Sequence, residues 1–513
     1  MFLARLLVLF SLVCISCAHS SFEQKQLKHA LDFATSNRLE LEILLQHYTY
    51  DSLKLEAAKF LIRNMPHCYS YQQGGEMDSV KRVRTYYSPF GQIDQTYARR
   101  WGHYTYRNLP KIYDAHIITA EYLIDNIDRA FDNWQKRPWN RSLSFEDFCE
   151  YLLPYRIGDE PLEEWRELYE KKYGYLLDSI YKGGDVVEAA NLVSRHLQEP
   201  VFIYCEDFEL PHIGPRYLFS HRYGSCVDAA DIVTYAFRAV GIPCMEDTDA
   251  RGGHVWNVVR DTTGRDVPIW YIASEAVRGS RDTGGYKRGK VYRPMYGFQE
   301  EKAAHLGDDW KSMPLLFYHP YMKDVSYAYY PDTLRILTGI PDDEVCYLAH
   351  FHEAHWWSCA CARSASGKME IPNLESELVY LPMKYTKGNY YPSGFPFWFA
   401  GGEINTFLPD WEKTVKVRLY RKYPVYGWLR SFMSHVVGGT FEGSMTKDFE
   451  DGKRLYEIAD TPVIARNRIF LNKPVKCRYI RYKADNDKYA ELAEMTSVSY
   501  THLRAHETSQ DLV

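Results

Sequence analysis

Residues 224–230 read G-S-C-V-D-A-A and are the stretch that most constrains the fold. Ser225 is a favourable helix N-cap, and Asp228 stands three residues later, where its carboxylate can accept a hydrogen bond from the cap amide. The spacing predicts a helix that begins with Cys226 and ends at Gly241. The positive end of that helix stabilises a thiolate. A buried cysteine at a helix cap has the same local pattern, so a reactive thiol and a packing residue are both open at this point.

A second stretch, G-G-H-V-W-N-V-V at residues 252–259, supplies a partner for the thiol. His254 begins a strand after two glycines, and Trp256 and Val258 share its face. Because a cysteine nucleophile needs a base to take its proton, we interpret Cys226 and His254 as a reactive pair.

A base also needs an acceptor that orients it, and three acids follow His254. Asp261 lies seven residues along the strand, roughly 23 Å away at about 3.3 Å per residue, and Asp266 lies near the predicted turn. Folding the hairpin about residue 263 places residue 272 opposite His254, with Glu275 just beyond it. Glu275 is therefore the geometric choice, although a slip of one residue in the register would reverse its facing.

Together these motifs resemble the transglutaminase-like superfamily. Its pattern is G-x-C at a helix start, G-I-P after that helix (here 241–243), H-x-W opening a strand, and an acid one strand later. The likeness covers roughly residues 185–300. The family usually has Asp in a W-x-x-x-D-P context, whereas this chain has A-S-E-A at 273–276.

The resemblance implies a papain-like fold in which a helix carrying cysteine packs on an antiparallel sheet. It implies that Cys226 is the nucleophile, that His254 is the base and that Glu275 orients the imidazole. The expected activity is that of a cysteine peptidase or amidase acting on a protein or peptide, with hydrolysis favoured over cross-linking. The Cys226 amide is one oxyanion donor, and the second is open among Tyr217, His221 and Tyr223. The alternative is an inert scaffold whose β-domains bind glycans.

The first residues read as a targeting signal rather than as part of the fold. A short apolar run, Leu6–Ile15, follows Arg5 and ends at Ser16-Cys17. The run is too short to span a bilayer permanently, and the I-S-C ending resembles a bacterial lipobox. We expect residues 1–16 to be a lipoprotein signal peptide and Cys17 to carry lipid, which anchors an exported protein in the periplasm or at the cell surface. An ordinary cleaved signal peptide is the alternative.

The rest of the chain predicts an α+β protein of several domains. Helical periodicity dominates the N-terminal part, where one helix is expected to start just after Pro110 and Ser144, three residues before Asp147, is expected to cap another. Alternating patterns broken by Gly, Pro and Asn follow from residue 200. N-R-L-E-L-E at 37–42, L-L-P-Y-R at 152–156 and K-V-Y-R at 290–293 resemble exported proteins of gut Bacteroidetes. The motifs G-G-T-F-E-G-S and R-Y-I-R-Y resemble a discoidin-type (galactose-binding-like) module. We predict a helical region at 24–184, the catalytic core at 185–302, a linker or wandering loop at 303–330, a β-sandwich at 335–425, an incomplete discoidin-like domain at 430–496 and a non-native tail at 498–513. Within the predicted β-sandwich, strand-like segments lie at 345–348, 379–381, 397–399 and 415–419.

Composition excludes some partners and leaves others open. The net charge is −5 with scattered basic residues, so we expect no nucleic-acid partner. The 43 tyrosines can stack on sugars or fill cores. Of eleven cysteines two lie in the signal, so an odd number remains. Residues 350–361 combine three His and two Cys, but their spacing favours sheet over a zinc site, and we expect no metal and no cofactor.

Overall fold

A computed structural model describes most of the chain between residues 22 and 485. Cys17 and the predicted tail at 498–513 lie outside the described residues, as do residues 271–274 beside the proposed acid and Leu419 at the end of one predicted strand. The described residues are 22–87, 105–199, 201–204, 210–251, 253–270, 275–281, 287–299, 313–337, 340–352, 355–416, 433–462, 467–485, 492 and 495–496.

Helices dominate the first two hundred described residues, as predicted. Helices α1 to α11 span, in chain order, 22–33, Arg38–His47, Ser52–Asn64, Gly75–Tyr87, Ala120–Lys136, Phe145–Tyr151, Arg166–Tyr175, Val186–Leu197, Pro215–Ser220, Cys226–Ala239 and Leu315–Tyr318. The cap predicted for α6 is present, because Ser144 Oγ accepts from the amide of Asp147 at 3.0 Å. The helix expected just after Pro110 begins later, at Ala120, since residues 111–113 pair instead with an earlier strand.

Strands occupy much of the remainder in several sheets, so the fold class is mixed α+β. Strands β1 to β20 span Tyr69–Tyr71, Lys111–Tyr113, Ile203–Tyr204, Tyr223–Gly224, Cys244–Asp249, Val255–Arg260, Asp266–Ile269, Val291–Pro294, Met322–Asp324, Leu334–Leu337, Val345–His352, His355–Arg363, Lys368–Ile371, Leu378–Thr386, Asn389–Pro392, Phe397–Ala400, Glu403–Thr406, Thr440–Ser444, Lys453–Glu457 and Tyr479–Lys483.

The sheet that positions the candidate site has five antiparallel strands in the order β7-β6-β5-β8-β9. Helix α10 packs on it, and Asn257 of β6 donates to the carbonyl of Ala230 at 3.0 Å and to Thr234 Oγ1 at 2.9 Å. Thr234 in turn donates to Glu246 of β5 at 2.7 Å. Because α10 is buried from Asp228 to Ala239, it is the central helix of this core.

The predicted linker at 303–330 is wrong for its described part, residues 313–330. Strand β9 joins the five-stranded sheet as its edge, and Val325 and Tyr329 are buried in the core around α10. A three-residue edge strand covers only one and a half repeats of the alternating pattern and less than one helical turn, which is too short for either periodicity to be recognised in the local sequence.

Between residues 331 and 408, the described strands form two sheets. One has six strands, in the order β12-β11-β14-β16-β17 with β15 added to β14, and the other pairs β10 with β13. Three of the strand segments predicted from sequence lie within β11, β14 and β16. The fourth segment is not a strand at its described residues, Val415 and Lys416. His350, expected on a sheet surface, is fully buried.

Contact density divides the chain into two compact units. One comprises the described residues up to Leu408 without His352 and His355, and the other comprises these two histidines together with the described residues from Pro409 onward. Within the second unit, β18 lies between β19 and β20 in an antiparallel sheet. No helix among the described residues is long and apolar enough to cross a membrane.

Candidate active site

Cys226 occupies the first position of α10, as the sequence predicts. The side chain of Asp228 reaches back, and its Oδ2 accepts from the Ser225 backbone amide at 2.8 Å. Cys226 is only 5% exposed and packs within the main buried cluster. A position at the N-terminal end of a helix favours a thiolate, whereas burial opposes it.

The helix start is also tied to the helical region by a buried ion pair. Arg84 of α4 donates from Nη2 to Asp228 Oδ2 at 2.7 Å, and both side chains are almost fully buried. A Cβ on Gly224 would lie 2.2 Å from that carboxylate and 2.4 Å from the guanidinium, so only glycine fits before the cap. The glycine of the G-S-C motif thus makes room for the pair.

His254 stands immediately before β6 and is held by its backbone. Its carbonyl accepts from Thr248 Oγ1 at 3.0 Å and from the amide of Asp249 at 3.3 Å. The Asp249 carboxylate accepts from the amides of Arg251 and Gly253 at 3.0 and 2.9 Å, which fixes the turn that delivers the histidine. The imidazole is 7% exposed.

Aromatic rings surround the imidazole of His254. Trp256 stacks with it at a centroid distance of 5.6 Å, and Trp270 meets it edge-on at 4.6 Å. Both tryptophans belong to the same buried cluster as Cys226. Trp256 and His254 therefore share a face of the strand, as the sequence predicts.

Cys226 and His254 lie at the same end of the helix–sheet pair. The bond from Asn257 fixes Ala230 beside β6. From Ala230 to Cys226 is roughly 6 Å along the helix, and from Asn257 to His254 roughly 10 Å along the strand. Strand β5 follows the C-terminal end of α10, and β6 pairs antiparallel with β5. The step from Ala230 to Cys226 and the step from Asn257 to His254 therefore both lead towards the N-terminal end of the helix.

A buried polar chain extends behind the Trp256 ring. Trp256 Nε1 donates to the Tyr329 hydroxyl at 2.9 Å, and that hydroxyl donates to Asp247 Oδ2 at 2.7 Å. Arg293 binds both oxygens of Asp247, at 2.6 and 2.9 Å, and donates to Asp266 at 2.7 Å. Because each member is satisfied, the chain fixes the ring that lies against His254.

The predicted register of the β6–β7 hairpin is confirmed over its described pairs. Asn257 faces Ile269 and Arg260 faces Asp266. Residue 272, which this register predicts opposite His254, lies outside the described residues.

The three candidate acids have distinct surroundings. Asp261 binds the amides of Thr263 and Arg265 and holds the turn, while Asp266 belongs to the buried Arg293 chain. Glu275 is half-exposed, and its Oε1 accepts from Arg195 at 2.5 Å. The first two acids are therefore engaged away from His254, as their positions in the sequence predicted, and the role of Glu275 stays a prediction.

Sequence reasoning missed four residues that shape the site. Asp249 had a detectable signal, an aspartate opening a D-A-R-G-G turn. Asp247, Arg293 and Tyr329 had none, because their importance lies in contacts between residues 46 and 82 positions apart.

Comparison with family models, curated proteins and solved structures yields no match for this chain.

Proposed function

We propose that this protein is a thiol-dependent amide hydrolase with a papain-like core of transglutaminase type. The observation that carries the proposal is the position of Cys226 at the first turn of a capped, buried helix, at the end of the sheet where His254 precedes β6. A thiol at a helix N-terminus and a restrained histidine at the same end of the sheet are elements that thiol catalysis uses.

In the proposed reaction, His254 takes the Cys226 proton as the sulfur adds to the amide carbonyl. The C–N bond then breaks, and the amine leaves with the proton from the imidazolium. Water, deprotonated by His254, attacks the thioester and releases the acid and the thiol. Glu275 is the proposed orienting acid, and the Cys226 amide stabilises the oxyanion.

In the proposed setting, the protein is exported and anchored by lipid on Cys17, and it acts on the peptides of glycoproteins or of the cell wall. The second unit, with its β19-β18-β20 sheet, is the proposed discoidin-like module that would bring the core to glycans. The rival function is glycan binding by these β-domains on an inert core.

Selective alkylation tests the reactive pair. Iodoacetamide should label Cys226 faster than any other described cysteine, and His254→Ala should slow that labelling by about tenfold or more, since the thiolate loses its partner. Mass spectrometry of tryptic peptides measures the rate at each cysteine.

The other described cysteines are internal controls. Burial raises the pKa of Cys68 and Cys244 to about 12 and that of Cys346 to about 11, so their thiols are protonated and slow. Labelling of Cys226 at the rate of the half-buried Cys361, insensitive to His254, would refute the enzyme and favour the rival.

The same alkylation assay tests which acid orients His254. Glu275→Ala should reduce the labelling rate, whereas Arg195→Ala, which removes the visible partner of Glu275, should not. Asp261→Ala is the matched carboxylate control. An effect of Asp261→Ala greater than that of Glu275→Ala would contradict the assignment of the third residue.

A further inference from the structure

Four of the described tryptophans are buried, and three of them use their indole N–H groups inside the protein. Trp139 and Trp165 each donate from Nε1 to a backbone carbonyl at 2.9 Å. Trp256 donates to a tyrosine hydroxyl, also at 2.9 Å. These three follow the general rule that a buried indole N–H finds a hydrogen-bond acceptor within the fold.

Trp270 is the fourth buried tryptophan, and its N–H group has no such acceptor. The side chain is 8% exposed, and its Nε1 makes no hydrogen bond with a described residue. This atom is not among the fully enclosed polar atoms of the described chain. Because an enclosed donor without an acceptor is costly, the open position of Nε1 lets water or a ligand from solution satisfy it.

The Trp270 ring lies against the imidazole of the proposed base. Trp270 comes directly after Ile269, which pairs with Asn257 of β6. Since side chains alternate along a strand, Trp270 lies on the other face of the sheet, the face that Trp256 and His254 share. The indole meets the His254 ring edge-on at a centroid distance of 4.6 Å. A substrate group held by the imidazole therefore lies within reach of the indole.

The proposed reaction specifies which substrate group this is. His254 gives its proton to the leaving amine, so the leaving part of the substrate is next to the imidazole at that step. In a peptide bond, the leaving residue carries its own backbone carbonyl a few bonds beyond the nitrogen. A primary amide, such as a glutamine side chain, releases ammonia and offers no such carbonyl. An indole N–H can only donate, so it suits a carbonyl acceptor.

We propose that Trp270 Nε1 donates a hydrogen bond to the backbone carbonyl of the residue on the leaving side of a peptide substrate. This role rests on the proposed function and deepens it, because it selects peptide bonds over primary amides. Trp270 is thus a specificity-determining residue that contacts the substrate and transfers no proton.

Two alkylating probes of similar length test this contact in the full-length protein. N-iodoacetyl-glycinamide carries a carbonyl beyond its amide nitrogen, and N-propyl-iodoacetamide has a methylene there. With each rate divided by that of the same probe with glutathione, Cys226 should prefer the glycinamide probe by about fivefold, the effect of one hydrogen bond.

Trp270→Phe keeps an aromatic ring beside His254 and removes the N–H group, so it should abolish the preference of Cys226 for the glycinamide probe. Trp134→Phe is the matched control, because Trp134 stacks on Phe148 in a different buried cluster, and it should retain the preference. The ratio of two rates on one protein cancels any general change in thiol reactivity.

Equal normalised rates of the two probes in the wild-type protein would overturn the role of Trp270 without the need for any variant. A preference that Trp270→Phe retains would overturn it as well. Either result, combined with rapid labelling that depends on His254, would leave the proposed function standing. Slow labelling of Cys226 by both probes, insensitive to His254→Ala, would overturn the proposed function and the role of Trp270 together.

Discussion

At the scale of single residues, the most unusual ionisable pair lies outside the proposed site. Asp231 of α10 is fully buried, and both of its carboxylate oxygens lie within 3.0 Å of His212 Nδ1. Burial disfavours the charged imidazole, but the carboxylates of Asp231, Asp159 and Glu160 outweigh it, so the pKa of His212 is raised well above its usual value. The His212 ring fills the space that a side chain on residue 158 would need, which explains the glycine there.

This pair predicts a loss of stability in alkali. A raised folded-state pKa means that the contribution of His212 is complete below the unfolded value of about 6.5 and is lost as pH rises through the higher folded value. Thermal unfolding should therefore show a fall in Tm towards alkaline pH that His212→Gln diminishes. His29→Gln, on an exposed helix surface, is the matched control and should leave the pH profile unchanged. An identical pH profile of Tm for wild type and His212→Gln would contradict the attribution of the alkaline loss of stability to His212.

At the scale of the element, the start of α10 depends on an ion pair supplied by another helix. Asp228 caps the Ser225 amide and also binds Arg84, so one carboxylate serves both helix formation and packing. Neutralising it leaves the Arg84 charge buried without its counterion.

We therefore expect Asp228→Asn to destabilise the protein by about 3–5 kcal/mol, the usual result of breaking a buried pair. Ser225→Ala should cost about 1 kcal/mol, the usual loss for an N-cap. Urea unfolding gives both values. The labelling rate of Cys226, measured well below the unfolding midpoint, should fall in Asp228→Asn because the helix start loosens. An unfolding midpoint equal to that of Ser225→Ala would show that the ion pair contributes nothing.

At the scale of the whole molecule, the first compact unit continues well beyond the catalytic core predicted from the sequence. Tyr292 of β8 donates to the carbonyl of Cys359 at 2.7 Å and packs with Tyr347 and Leu381 in one buried cluster. Glu375 binds the backbone just before β8. The six-stranded sheet is therefore part of the support of the core.

Two truncated chains distinguish the end of the core predicted from the sequence from the end of the first compact unit. A chain that ends after Leu408 should unfold cooperatively and keep the labelling of Cys226, because it retains the first unit. A chain that ends after Tyr330 should lose cooperative unfolding, since it exposes the apolar faces around Tyr292 and leaves the amides of Arg288 and Gly289 without their acceptor. Near-UV circular dichroism and urea unfolding provide the comparison. A native-like chain ending at residue 330 would show that the core folds without the sheet.

The sequence alone determined the elements whose signals are local. A cap, an apolar face and a terminal glycine predict α10, and Gly241 does adopt a positive φ of 82° just beyond the helix. The turn at 261–264 fixed the register of the β6–β7 hairpin, because turn geometry and strand pairing involve neighbours in the chain. The mixed α+β class follows from the same periodicities.

Only the tertiary structure decided which distant residues share an environment. It placed β9 on the edge of the core sheet, Arg84 against Asp228, Arg293 against Asp247, and Arg288 over the Trp256 ring. Each of these contacts joins residues tens to more than a hundred positions apart. Such pairs form because burying a charge or an edge strand is favourable only when its partner is already in place, and local periodicity carries no information about that partner.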